Sequence, residues 1–221
     1  MVFLKKWIEF LTSTVVWLFI FSIHAHRPIF DNTVASIALS VFVSDIFQRH
    51  NQEEFRPIKN SHNMYLSLQR NIGKYMGISL FLWIFVIILE TIFCQGENQA
   101  GLLSLMMKVI GYGLIVSSIW MYNDVNKRNK YLAIGETALD MQIVRTGAYA
   151  YVRHPYYLSC ILKMAGVSLV LQADVSLLII VPYAFSIAFF INIEEAELEN
   201  DVEEYKKYKL YTKYKLLPGV W

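Results

Sequence analysis

Six runs of apolar residues divide the chain, and the polar residues between them fall in blocks rather than at a helical period. The runs cover 7–23, 33–47, 72–93, 102–122, 156–171 and 175–193. Crossing the hydrocarbon core of a bilayer takes about 20 predominantly apolar helical residues, so each run reads as a span. The third is the clearest, built on an unbroken apolar stretch from Leu80 to Leu89. The second is short and seeded with serines, which suits a tilted or partly re-entrant segment. The first follows Lys5-Lys6, and no small-x-small cleavage site comes after it, so it reads as a retained span rather than a signal peptide. Gln172-Ala173-Asp174 is read as the turn of a hairpin whose second arm carries Pro182, an expected kink. The fold class expected is all-α: a multi-pass transmembrane helical bundle of about six spans with a C-terminal cytoplasmic helix. That helix is expected to face solvent from Glu194 onward, acid first and base last, as a helix dipole favours.

Composition supports this. The chain is 56% hydrophobic and 17% charged, with a mean hydropathy of +0.39, whereas soluble domains average about 25% charged. With six spans, one side holds 17 of the 20 basic residues, two fall within spans (Lys108 and Lys163), and Arg27 alone lies on the other side. Such a bias places both termini in the cytoplasm. A net charge of +2 gives no reason to expect a nucleic-acid partner. Cys94 and Cys160 fall at opposite membrane faces, too far apart to bridge. No Cys/His spacing suggests a metal, and His24-x-His26 is an isolated pair. Three features stay open: Glu90 near the far end of the third span, Lys163 inside the fifth, and Gly111-Tyr112-Gly113 in the fourth. Such glycines permit close approach of either a helix or a ligand.

The chemistry concentrates in Val144-Arg145-Thr146-Gly147-Ala148-Tyr149-Ala150-Tyr151-Val152-Arg153-His154-Pro155-Tyr156-Tyr157. Pro155 suits the first turn of a helix, where its missing N–H would have had no partner. Arg153 and His154 then stand beside the positive end of the helix dipole, a place that attracts an anion. Thirty-six residues (158–193) separate Tyr157 from Glu194-Glu195, which comes directly after the sixth run. A hairpin would return this acidic pair to the face that holds Arg153-His154.

This pattern, with E-E-x-x-L and a charged tail ending in P-G-V-W, resembles the isoprenylcysteine carboxyl methyltransferase family of integral-membrane methyltransferases and their phospholipid methyltransferase relatives. The resemblance covers about residues 141–221 and implies S-adenosylmethionine as cofactor. By that resemblance Met141, Gln142, Ile143, Val144, Tyr149, His154, Pro155, Tyr156 and Tyr157 would line the cofactor pocket together with one glutamate of the acidic pair, Glu194 first. By their chemistry Glu194 and Glu195 can both supply acceptors for its ammonium or ribose hydroxyls. Arg153 is the candidate catalytic residue, as a cation for an acceptor carboxylate. The whole chain, 1–221, is read as one integral-membrane domain: residues 1–122 hold spans one to four, and 123–221 form the cofactor-binding region.

The implied activity is methyl transfer to a lipidic acceptor from the membrane, the carboxylate of a prenylated cysteine being one candidate. A phospholipid or small-lipid N-methyltransferase is the alternative, and a NADPH-dependent sterol reductase-like protein a more distant one. The membrane would be that of the endoplasmic reticulum or the bacterial inner membrane. The chain departs from the family at two places. Gly147-Ala148-Tyr149 stands where Gly-Pro-Tyr is usual, and Phe189-Phe190-Ile191-Asn192-Ile193 lacks the substrate-serving arginine of eukaryotic members.

Overall fold

The computed structural model describes residues 13–20, 29–51, 63–93, 101–128 and 143–221. Lys5-Lys6, His24-x-His26, Cys94 and the candidate cofactor residues Met141 and Gln142 lie outside these. The regular secondary structure of the described residues is helical, with no strand among them. After a helical stretch at 13–20 come α1 (Ile29–Asn51), α2 (Asn63–Phe93), α3 (Leu102–Arg128), a 3-10 turn (Gly147–Ala150), α4 (Pro155–Leu171), α5 (Asp174–Asp201) and α6 (Glu203–Tyr211).

Among the described residues, three helices are long and apolar enough to cross a membrane: Asn71–Phe93, Leu102–Arg128 and Asp174–Asn200. Ile29–Phe42 and Pro155–Leu171 are shorter apolar helices. Phe81, Leu102, Val109, Val116, Phe185 and Phe189 are all more than 60% exposed, a surface that suits lipid rather than water.

The helices outrun the apolar runs at several ends. α3 continues to Lys127 and Arg128, whose charges favour the negative end of the helix dipole. α5 carries on through the acidic pair to Asp201, because Glu, Ala and Leu are good helix formers. The tail is therefore not one solvent-facing helix from Glu194: α6 is a separate element, and it buries Tyr205 and Tyr208. The hairpin turn is also shorter than expected, since Asp174 already opens α5. Gln172 adopts φ +53°. The Ala173 amide reaches the Ser168 carbonyl at 2.9 Å, and the Gln172 amide reaches that of Leu169 at 3.2 Å. This pair of bonds is a Schellman cap, with glutamine in the position glycine usually takes.

The chain forms two compact units, and four helices contribute residues to both. The first comprises Met1–Glu53, Phe81–Val116 and Leu162–Ile180; the second Glu54–Leu80, Ser117–Ile161 and Val181–Trp221. In the first unit the open questions about polar residues receive structural answers. The Glu90 carboxylate accepts the Val175 and Ser176 amides, both at 2.7 Å. It thus caps the N-terminus of α5 and satisfies two of that helix's orphan donors. Trp83 Nε1 donates to Ser168 Oγ at 3.1 Å, and Ser176 Oγ joins the same oxygen at 2.7 Å. Lys108 pairs with Asp31 at 2.6 Å, and the Tyr112 hydroxyl donates to the same carboxylate.

Lys163 does not reach outward: it is 1% exposed, with its ammonium 5.1 Å from the centre of the Phe42 ring. Gly111 serves packing. A Cβ there would come within 2.9 Å of the Gly166 carbonyl, and one on Gly166 within 2.8 Å of the Gly111 carbonyl. α3 and α4 therefore meet backbone to backbone. Gly113 faces open space.

Candidate functional site

The second unit carries the motif. Gly147 adopts φ +67°, and a Cβ there would overlap Asp124 and Arg128 at the end of α3. Glycine is required twice over, by the left-handed backbone and by the close approach. Asp124 Oδ2 accepts the Ala148 amide at 2.7 Å, while Oδ1 accepts Arg128 Nε at 2.7 Å. Arg128 Nη1 goes on to Thr146 Oγ1 at 2.9 Å. Alanine at 148 leaves Asp124 a donor that proline in its place would lack, having no N–H.

The 3-10 turn buries Tyr149 and exposes its carbonyl to the tail. Tyr208 Oη donates to that carbonyl at 2.7 Å and Thr212 Oγ1 at 3.2 Å. Two amides then pair with the extended residues after α6: Arg153 N donates to Tyr214 O and His154 N to Lys215 O, both at 2.9 Å. These two amides are thus occupied by the tail and do not serve an anion. Pro155 is the first residue of α4, as its chemistry favours.

Arg153 and Glu195 form the centre. Arg153 Nε donates to Glu195 Oε1 at 2.7 Å and Nη2 to Oε2 at 3.3 Å. Nη1 donates to the carbonyls of Thr212 at 2.8 Å and Lys213 at 2.7 Å. Burial works against the Arg153 charge, but the bonds and charge of Glu195 outweigh it and raise the guanidinium's pKa. Glu195, 2% exposed, also meets His154 Nε2 at 3.1 Å, the Tyr205 hydroxyl at 3.1 Å and Lys215 Nζ at 3.3 Å. Burial and then the nearby Glu195 charge push the Tyr205 phenol well above its usual range.

Glu194 is different. Its side chain is 34% exposed, and Oε2 lies 3.2 Å from the Tyr157 hydroxyl and 3.5 Å from His154 Nδ1. The imidazole stands between the two carboxylates, one ring nitrogen toward each. His154 stacks on Tyr157 at 5.9 Å between centroids, and Tyr157 meets Tyr156 at 5.5 Å and Phe190 at 5.9 Å. A half-open carboxylate edged by tyrosine faces can accept hydrogen bonds from a cationic or hydroxylated ligand and shelter a soft cation.

The structure therefore brings Arg153, His154, Tyr156, Tyr157, Glu194 and Glu195 together. Ile143 and Val144 are half-buried where the loop begins, and with Pro155 they contribute no polar side chain. Sequence reasoning missed Asp124, Tyr205, Tyr208, Thr212 and Lys215. The signal for the tail was the stripe Tyr205, Tyr208, Thr212, spaced three and four apart on a helix otherwise rich in lysine.

Residues 99–202 match the model of the phospholipid methyltransferase family. The match spans just under half the chain, from the start of α3 to the end of α5, and contains the motif and the acidic pair. No curated protein and no solved structure matches the chain. Over these residues the chain is similar to the phospholipid methyltransferase family, and three helices among the described residues are long and apolar enough to cross a membrane.

Proposed function

We propose that the chain is an integral-membrane methyltransferase that takes its methyl group from S-adenosylmethionine and passes it to a lipidic acceptor. The observation that carries this reading is the half-open Glu194 carboxylate set against His154 and Tyr157 at the start of α4. That set fits the cofactor's chemistry. Glu194 would accept from its ammonium or ribose hydroxyls, and Tyr156 and Tyr157 offer ring faces to its adenine or sulfonium. Tyr149, Ile143, Val144, Pro155, Met141 and Gln142 complete the proposed wall. Glu195 would act from behind, by holding His154 and Arg153 in place.

Bound there, the cofactor supplies a methyl carbon already activated by its sulfonium. The residues of the chain then have to position the acceptor and exclude water, which supplies most of such an acceleration. Arg153 has its guanidinium engaged by Glu195 and two carbonyls, so its proposed role is to position the site rather than to bind the acceptor. A carboxylate acceptor would lack that cation. This favours a lipid amine over the prenylcysteine carboxylate, in line with the family match. The amine's ammonium form would first pass a proton to Glu194 or to water, freeing the nitrogen lone pair that attacks the methyl carbon as the sulfonium leaves as a thioether. Both termini are proposed to lie in the cytoplasm, where the basic residues concentrate.

Calorimetric titration of the detergent-purified protein with S-adenosylhomocysteine, and separately with NADPH, tests the cofactor. Binding of the first alone is expected; binding of NADPH alone would move the chain to the reductase reading. Labelled S-adenosylmethionine with membrane lipids then tests the acceptor. An N-methyl product resists mild base, whereas a methyl ester releases labelled methanol.

A further inference from the structure

After Glu203 and Glu204 the chain carries five lysines and no acidic side chain as far as Trp221. Lys206, Lys207 and Lys213 are exposed. Between and beyond them stand Leu210, Tyr211 and Val220, which are 76%, 79% and 79% exposed. Lysines interleaved with tyrosine and aliphatic side chains make up an interfacial segment, with charge for headgroups and apolar surface for the acyl boundary. The segment is also within reach of a bilayer, because α6 begins two residues after α5, a helix of spanning length.

The other side of this segment holds the site. The carbonyls of Thr212 and Lys213 take Arg153 Nη1, and those of Tyr214 and Lys215 take the Arg153 and His154 amides. We propose that the outward face of residues 206–220 docks on an anionic bilayer leaflet, and that docking holds this strap against Arg153 and His154. Charge selects the occupant: residues 206–220 are basic and acid-free and complement anionic headgroups, while neutral ones offer the lysines nothing. The exposed Glu203 and Glu204, one turn before Lys206 and Lys207, oppose part of that attraction. Each lysine near such a surface favours the docked state about five-fold, so a net gain of one to three charges gives between about five-fold and a hundred-fold.

The test uses the full chain in nanodiscs of phosphatidylcholine alone or with about 30 mol% phosphatidylglycerol. A Val220→Cys variant labelled with an environment-sensitive fluorophore reports depth through quenching by doxyl lipids. Hydrogen exchange of the peptide containing Arg153 and His154 reports the strap. In anionic discs the label should be quenched and those two amides should exchange several-fold more slowly. About 0.5 M salt should remove both effects, as should Lys206→Gln, Lys207→Gln and Lys213→Gln combined. Equal depth and exchange in the two compositions would overturn the proposal and leave the lysines to an acidic protein partner. Effects that persist in salt would overturn it too, and that arm uses no lysine variant. Neither readout involves methyl transfer, so the result stands apart from the methyltransferase reading.

Discussion

Exchanging one carboxylate for an amide at 194 and at 195 should give two different phenotypes, although the residues are adjacent. Glu195 is buried and bears on Arg153, His154, Tyr205 and Lys215 together. Glu195→Gln keeps the shape but removes the charge that offsets a buried guanidinium. Removing one partner of a buried ion pair costs about 3–5 kcal/mol. A glutamine oxygen can still accept one bond from Arg153, so the lower end is the better figure. At about 2–4 °C per kcal/mol for a chain of this size, a loss of about 3 kcal/mol lowers the melting temperature by about 6–12 °C.

Glu194 is 34% exposed on its side chain and touches only the edge of this network. Glu194→Gln should leave melting within a degree or two of the parent. It should instead weaken the cofactor by one charge-assisted bond, about 1.5–3 kcal/mol, or roughly 10- to 150-fold in affinity. Tryptophan-monitored melting in detergent and calorimetry with S-adenosylhomocysteine measure the two effects side by side. Equal melting losses for both variants would refute the division of the pair. So would an unchanged affinity in Glu194→Gln.

Three further outcomes follow from the geometry. Ala148→Pro removes the amide that Asp124 accepts at 2.7 Å, and leaving that carboxylate short of a donor should cost about 1–3 kcal/mol, read as earlier denaturant unfolding. Glu90→Ala uncaps α5 at Val175 and Ser176 and should lower the melting point, with no change in S-adenosylhomocysteine affinity, because both bonds lie about five turns from Glu194. In alkaline titration followed at the tyrosinate band, Tyr205 and Tyr208 should ionise well after an ordinary tyrosine. Burial raises both, the Glu195 charge next for Tyr205, so the folded state binds these protons more tightly than the unfolded one. Their stabilising contribution is therefore complete below the ordinary tyrosine value of about 10 and falls as pH rises above it toward the raised values; Tyr205→Phe and Tyr208→Phe should each remove part of that late fraction.

Much of this was legible in the residues. Long apolar runs dictate helices wherever the surroundings are apolar, and Pro155 at the head of one run marked where α4 starts. The hairpin spacing implied that Glu194-Glu195 would return to His154, and it does. What could not be read was rotation: two neighbouring glutamates differ by about 100° around a helix axis, and no periodic pattern surrounds them to say which faces inward. Asp124 was hidden for another reason. It partners Ala148 across a long polar segment, and only the left-handed backbone at Gly147 brings the two within reach. The tail was misjudged because its lysines dominate its composition while two tyrosines decide its packing.

One arrangement bears on how this chain can change over generations. Arg128, the last residue of α3, reaches Thr146, and Asp124 one turn earlier reaches Ala148. Arg128 and Thr146 are thereby fixed to each other by side chains. A substitution at Asp124, at Gly147 or of the amide at 148 strands the other two, so these three positions have to change in concert or not at all and are inherited as a block.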